Sequence, residues 1–370
     1  MQKQKKILLI HLFSNGDCLY ATSVARQIKN DFPGSYLIWA ISAACKNILL
    51  NNPDVDEIME IEIPKPSLNE KIFNDVIKDS HEKKLNGEID EVFITQILGD
   101  NFSKYDGCVR TSIYRCYGKP LNVSKTPILV LTGNEVQKAN EFAITNKLSL
   151  FENVILFEWA PQSGQANFSE ALIKNLTEEL VKIESTCVVL SSAKKIELHT
   201  SNVIDGSVLT IRETAALSHY CNLLIGCSSG ITWATFSTGA KRLSTLQLLN
   251  KDAYIYNPPS IALKRIGETT NLVIEMFDFN PRKVLACVET IFTENFETAK
   301  RLFDQPAEKQ FKIYRGITHM FLVKGKIQLL KKFIQLNLAE HGWNFSMLFR
   351  IFLGIVLFPA QIIVNKIKGR

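Results

Sequence analysis

Two strand-to-helix turns carry the residue types that could do chemistry. In the first, Ser14-Asn15-Gly16-Asp17, a glycine allows a sharp turn after an apolar run, and an aspartate falls where a helix begins. Placed there it feels the positive end of the helix dipole, which keeps it ionised and able to accept a proton. It could also do no more than cap the helix. In the second turn, Gly226-Cys227-Ser228-Ser229-Gly230, backbone N–H groups, two hydroxyls and a glycine together suit a phosphate without a lysine. A plain Gly/Ser turn with a serine cap fits the same residues. The first turn is not a dinucleotide fingerprint, because G-x-G-x-x-G is missing. Both turns belong at the carboxyl ends of strands, where open α/β sheets place their ligands.

The flanking sequence predicts the elements that would hold these turns. Residues 6–13 form a continuous apolar run, as expected of a parallel strand covered on both faces. A helix over 18–30 follows, with Leu19, Val24, Ala25 and Ile28 on one face. Strands are expected at 36–41, after Asn52-Pro53-Asp54-Val55-Asp56, and at 91–96, with an exposed helix over 65–84. Residues 125–132 and a helix over 134–146 read as a junction, after which the alternation restarts. Strands at 153–157, 187–190 and 222–226 then alternate with helices at 169–184 and 213–219. Such alternation marks doubly wound α/β domains. The expected organisation is two Rossmann-like units, 1–140 and 141–310, facing each other across a cleft, with a helical tail over 311–370.

Composition bounds the function classes. A chain of 370 residues accommodates two domains of about 150 residues plus an appendage. The net charge of +6 is unevenly placed: residues 305–370 hold eleven Lys or Arg against Glu308 and Glu340, a balance of +9, leaving −3 for the rest. Because the basic segment is also apolar, an anionic membrane surface is the expected partner and nucleic acid is not. Eight cysteines without a C-x-x-C pair read as reduced, buried thiols, the histidines lack ligand spacing, and no metal is expected. The N-terminus starts positively charged, but its apolar run is too short for a signal peptide and meets no small-residue cleavage site.

Within the tail, residues 324–339 set Ile327, Leu330, Phe333, Ile334 and Leu338 against four lysines, a basic amphipathic helix. Residues 345–364 are just long enough to cross a bilayer, yet contain Arg350 and Pro359. The tail is therefore expected to lie in the membrane interface rather than span it. A closing helix packed on the globular body is the alternative.

The stretch KILLIHLFSNGDCLYATSVARQIKNDFP, followed by NNPDVDEIMEI, resembles the opening of the heptosyltransferases of glycosyltransferase family nine. IRETAALSHYCNLLIGCSSGITWATFSTGAK resembles that family's second signature, which holds the donor diphosphate. The resemblance implies a GT-B fold and an inverting, metal-independent transferase acting on a lipopolysaccharide or other surface-glycan acceptor at the cytoplasmic face of a membrane. It implies Asp17 as general base, with Asn15 and Gly16 beside the acceptor. Ser228, Ser229 and Gly230 would meet the diphosphate of a nucleotide sugar, and Glu213 its nucleoside and ribose. No cofactor beyond that co-substrate is implied.

The sequence departs from the family at Ser228, usually Asp or Asn, and at Trp233, usually His. The loop 160–165 lacks the usual phosphate-binding lysine and offers Gln162 and Ser163 on the donor side; Lys194 or Lys195 could substitute, or be solvated surface. Trp159 and Trp233 could stack on a base or sugar, or simply pack. Arg110 and Arg115 could bind an anionic acceptor, or lie on an exposed helix face. Two rival functions share the fold: a nucleotide-sugar epimerase or hydrolase, and a membrane-tethered scaffold without activity.

Overall fold

A computed structural model describes residues 4–368 other than 163, 198, 199, 254, 256 and 278, with side chains described as far as 357. Among the described residues, ten strands form two wholly parallel sheets. The first contains Lys6–Ile10 (β1), Tyr36–Ser42 (β2), Glu57–Ile61 (β3) and Glu91–Ile94 (β4), in the order β3-β2-β1-β4. The second contains Asn153–Glu158 (β5), Thr186–Ser191 (β6), Val203–Asp205 (β7), Leu223–Gly226 (β8), Ser244–Leu248 (β9) and Val273–Met276 (β10), in the order β10-β9-β8-β5-β6-β7.

Burial follows from the sequence runs. β1 is flanked by β2 and β4, and its Ile7 and Leu9 enter one core cluster while Leu8 and Ile10 enter another, so both faces are covered and an unbroken ILLI run suits it. β5 holds the corresponding central place, with Leu156 opposite Val189 and Leu224. The two turns singled out above follow β1 and β8, each an inner strand of its sheet.

The units meet along a shared apolar cluster. Ile7, Trp39 and Ile113 of the first unit join Ala215, Trp233 and Leu263 of the second. A buried guanidinium fastens this contact: Arg212 donates to both carboxylate oxygens of Glu135 and to the carbonyls of Asn47, Leu50 and Val130. The helix Gly133–Thr145 opens with a capping box between Thr132 and Glu135. Its Ala139 and Ala143 pack with Val154, Leu156 and Leu224, so it belongs to the second unit. The crossover is therefore the extended stretch 119–132, upstream of the expected boundary near 140.

The tail differs from expectation. Helices Lys312–Val323 and Ile327–His341 do not lay their apolar faces on a surface; Tyr314, Phe321, Leu330 and Phe333 are buried in the cluster of the first unit. Periodicity marks an apolar face but cannot say what covers it, and here the protein does. Polar contacts reinforce the docking. The fully buried Asp106 pairs with Arg115 and Arg265 at 2.6 and 2.9 Å, Arg115 reaches Glu340, and His341 lies 2.8 Å from the Asp106 carbonyl. Lys324 and Lys326 pair with Glu70 and Asp100. No helix among the described residues is long and apolar enough to cross a membrane.

Candidate active site

The two turns come together. A Cβ built on Gly16 would lie 3.2 Å from Trp233 Cδ1 and 3.8 Å from Gly230 N. One built on Gly230 would lie 3.1 Å from Asn15 Cβ. Glycine is needed at both positions because two backbones approach this closely. The N-terminus of the helix Asn15–Asp31 thus meets the N-terminus of the short helix Gly230–Ala234, head to head. Both carry uncompensated amides, so the junction favours negative charge. At the second turn, the Ser229 and Gly230 amides donate to no described residue.

Backbone strain marks the same two places. Ser14 and Ser228 have φ of 67° and 50°, two of the five described non-glycine residues in the left-handed region. Such conformations cost about 1–3 kcal/mol and persist where the surroundings impose them, commonly at sites of function.

Asp17 lies in the first turn of its helix without capping it; the cap position is Ser14, and no side-chain cap bond is made. Its carboxyl has no hydrogen-bond or ion-pair partner among the described residues. Burial, with a smaller push from the nearby Cys45, raises its pKa to about 7. Desolvation thus opposes the ionised form that the helix end favours, and near pH 7 both protonation states of this part-buried carboxyl are populated. Cys45 is shifted the other way, down to about 7, by its hydrogen bond with Cys18 and by those to Ser42 and the Ser14 backbone. All eight cysteines are buried and unpaired.

Beneath the second turn lies a polar network that sequence reasoning missed. Glu158, the last residue of β5, is buried and accepts from the Ser229 hydroxyl and from Cys227 N at 3.2 Å. Gln247 on β9 accepts from Ser228 N at 2.7 Å, and the Ser228 hydroxyl donates to the Asn257 carbonyl at 2.5 Å. Asn257 in turn reaches Tyr20 of the first unit at 3.4 Å. Both serine hydroxyls therefore point inward and hold the turn, with the Cys227 and Ser228 amides, leaving the Ser229 and Gly230 amides uncommitted. A lone glutamate closing the apolar run NVILFE was the available signal for Glu158. His11 was also missed: it directly follows β1, fully buried, its pKa pulled down to about 3 by burial, with Nδ1 3.0 Å from the Thr95 hydroxyl.

Burial lifts the Glu158 pKa from 4.5 to about 7, and the Cys227 amide and Thr232 oppose this only in part. Between those values the folded chain keeps a proton that the unfolded chain releases, so stability falls as pH rises through the window. Glu158→Gln stays neutral and can still accept from Ser229. Its melting temperature should therefore fall less than the parent's between about pH 5 and pH 7. Equal falls in the two proteins would place the titration elsewhere.

Other expected residues are differently employed. Glu213 closes a capping box with Thr210 and pairs with Lys138 at 3.0 Å; burial opposes its ionisation, but these partners hold its carboxyl below the usual range. Its helix still abuts the turn, with Ile211 Cδ1 3.2 Å from a Cβ built on Gly230. Gln162 sits in an exposed turn, and Ser163 lies outside the described residues. Arg110 is on neither an exposed helix face nor an open anion site. It is 1% exposed, bonded to Tyr114 and the Lys125 carbonyl, with its guanidinium 5.0 Å from the Tyr20 ring and 5.7 Å from Trp233. Arg115 is taken up by Asp106 and Glu340. Trp159 and Trp233 are both buried packing residues, Trp233 edge-on to Tyr20 at 4.7 Å. Lys194 pairs with Glu170 at the surface.

By sequence, the chain matches no protein-family model and no curated protein. By structure it is similar to a glycosyl transferase family 9 protein from Veillonella parvula, with a TM-score of 0.57 at 14% identity over 82% of this chain and 99% of that one. The chain has the GT-B fold. The same GT-B arrangement relates it to the E. coli ADP-heptose lps heptosyltransferase II, with a TM-score of 0.51, 17% identity, and 76% and 96% of the two chains covered. A putative UDP-N-acetylglucosamine 2-epimerase from Listeria monocytogenes is also similar, with a TM-score of 0.50, 9% identity, and 88% and 97% covered. The GT-B fold thus supplies the scaffold, and the choice between transfer and epimerisation falls to the residues of the junction.

Proposed function

We propose that the protein is an inverting glycosyltransferase that moves a sugar, heptose or a related one, from a nucleoside diphosphate to a lipopolysaccharide or other surface-glycan acceptor. The observation that carries this reading is the junction itself: the turn that leads into Asp17 meets the turn that bears two uncommitted amides. Asp17 takes the proton of an acceptor hydroxyl as that oxygen forms its bond to the anomeric carbon. The bond from that carbon to the diphosphate breaks, and the Ser229 and Gly230 amides stabilise the charge that develops on the leaving group. The turns touch in this arrangement, so donor and acceptor enter when the units part about the stretch 119–132 and react on closure. The acceptor is carried by lipid, and within residues 311–370 the part from Trp343 onward holds the enzyme at the inner face of the cytoplasmic membrane.

The epimerase-like neighbour keeps a second reading in view, turnover of the nucleotide sugar without an acceptor. Release of nucleoside diphosphate separates the two. A transferase releases it only when lipid-linked acceptor is added and extends that acceptor by one sugar. Free or epimerised sugar formed without acceptor would favour the second reading.

A further inference from the structure

We infer that the outward face of the final helix, together with Trp343 before it, is an anionic-lipid docking surface that inserts into one leaflet. The inference rests on the membrane location proposed above and names the surface that makes contact. The helix Phe345–Lys368 packs one side on Lys312–Val323. Met347 and Ile351 are buried there, and Gly354 sits so close that a Cβ would meet the Arg315 carbonyl oxygen at 2.7 Å.

The opposite side carries Phe345, Phe349, Phe352 and Val356, spaced by four, three and four residues, so they form one stripe along the helix. All four are exposed, with Phe345 at 82%, and Trp343 is exposed at 85%. An apolar face with three aromatics left in water has to be covered by something, since soluble surfaces rarely keep such patches.

Charge decides what covers it. Between 310 and 357 the chain has a single acid, Glu340, and that is paired with Arg115. Arg350 on this helix, Arg315 on the helix beneath it, and the exposed Lys331 and Lys332 have no partner among the described residues. A second copy of the chain would bring the same cations face to face. An anionic bilayer neutralises them while its acyl region accepts the phenyl rings, and a tryptophan at the edge of the face suits the headgroup boundary.

Trp343 makes the test direct, because the other three tryptophans are buried. The full chain is titrated with phosphatidylcholine vesicles, with and without phosphatidylglycerol, in the absence of donor and acceptor, so the outcome is independent of catalysis. The expected result is a blue shift of Trp343 emission and co-sedimentation with the phosphatidylglycerol vesicles. Both should be lost in the triple variant Phe345→Ser, Phe349→Ser, Phe352→Ser, whose thermal unfolding should match the parent's because the replaced rings are solvent-facing. Arg350→Glu, on the same helix as the three phenyl rings, should weaken binding about fivefold or more. Unchanged emission with anionic vesicles, retained binding in the triple variant, or a parent dimer that the triple variant abolishes would each overturn the inference.

Discussion

Asp17→Asn folds like the parent chain and transfers sugar on the order of 10²–10⁴-fold more slowly. Asparagine preserves the shape of the side chain, and Asp17 bonds to no described residue, so no contact is lost. Removing an ionisable group that burial disfavours should leave stability equal or higher above neutrality. The proton acceptor alone disappears. With its pKa raised to about 7, the parent's rate should decline below that pH as the carboxyl protonates, and the variant's residual rate should lack this limb. Rates measured across pH in both proteins check this. Transfer by Asp17→Asn at the parent's rate would remove the proposed base.

The second large effect is on stability. Arg212→Ala leaves the part-buried Glu135 carboxylate without its guanidinium, and the Leu50 and Val130 carbonyls without a donor. Breaking one side of a buried pair costs about 3–5 kcal/mol, and a loss of that size is the expected result in denaturant unfolding. Burial works against the Glu135 charge; Arg212, with Thr132, holds its carboxyl below the usual range, so losing Arg212 should raise it. The double variant Arg212→Met, Glu135→Met removes both charges and should recover much of the loss, though not that from Asn47, Leu50 and Val130. Because this residue of the second unit bonds loop carbonyls of the first, the single variant should also loosen the seat of the two turns. A loss below about 1 kcal/mol would mean that water replaces the guanidinium.

What was legible in the sequence was local. The apolar runs of β1, β5 and β8 and the Gly/Ser/Asp punctuation after them marked strands and turns, since both signals lie within a few residues. That the two turns would meet followed from each lying at a carboxyl end of an inner strand. The state of Asp17 did not follow, because the helix dipole is visible in sequence and the desolvation that opposes it is not. Glu158 was hidden because one acid after an apolar strand has no periodic signature. Arg110 was misjudged for a related reason: the two rings beside it, Tyr20 and Trp233, come from helices far apart in sequence. The tail was half legible, its helices being periodic, while the destination of each apolar face was a tertiary fact. One face went to the core and the last went to solvent.

The most direct test of the junction is a calorimetric titration of the full chain with ADP, GDP, UDP and CDP, without acceptor or membrane. The uncommitted amides at Ser229 and Gly230 predict saturable one-to-one binding of at least one of them, weakened when a Gly230→Val side chain is driven into the gap. No heat with any of the four, or affinity untouched by that side chain, would contradict the account.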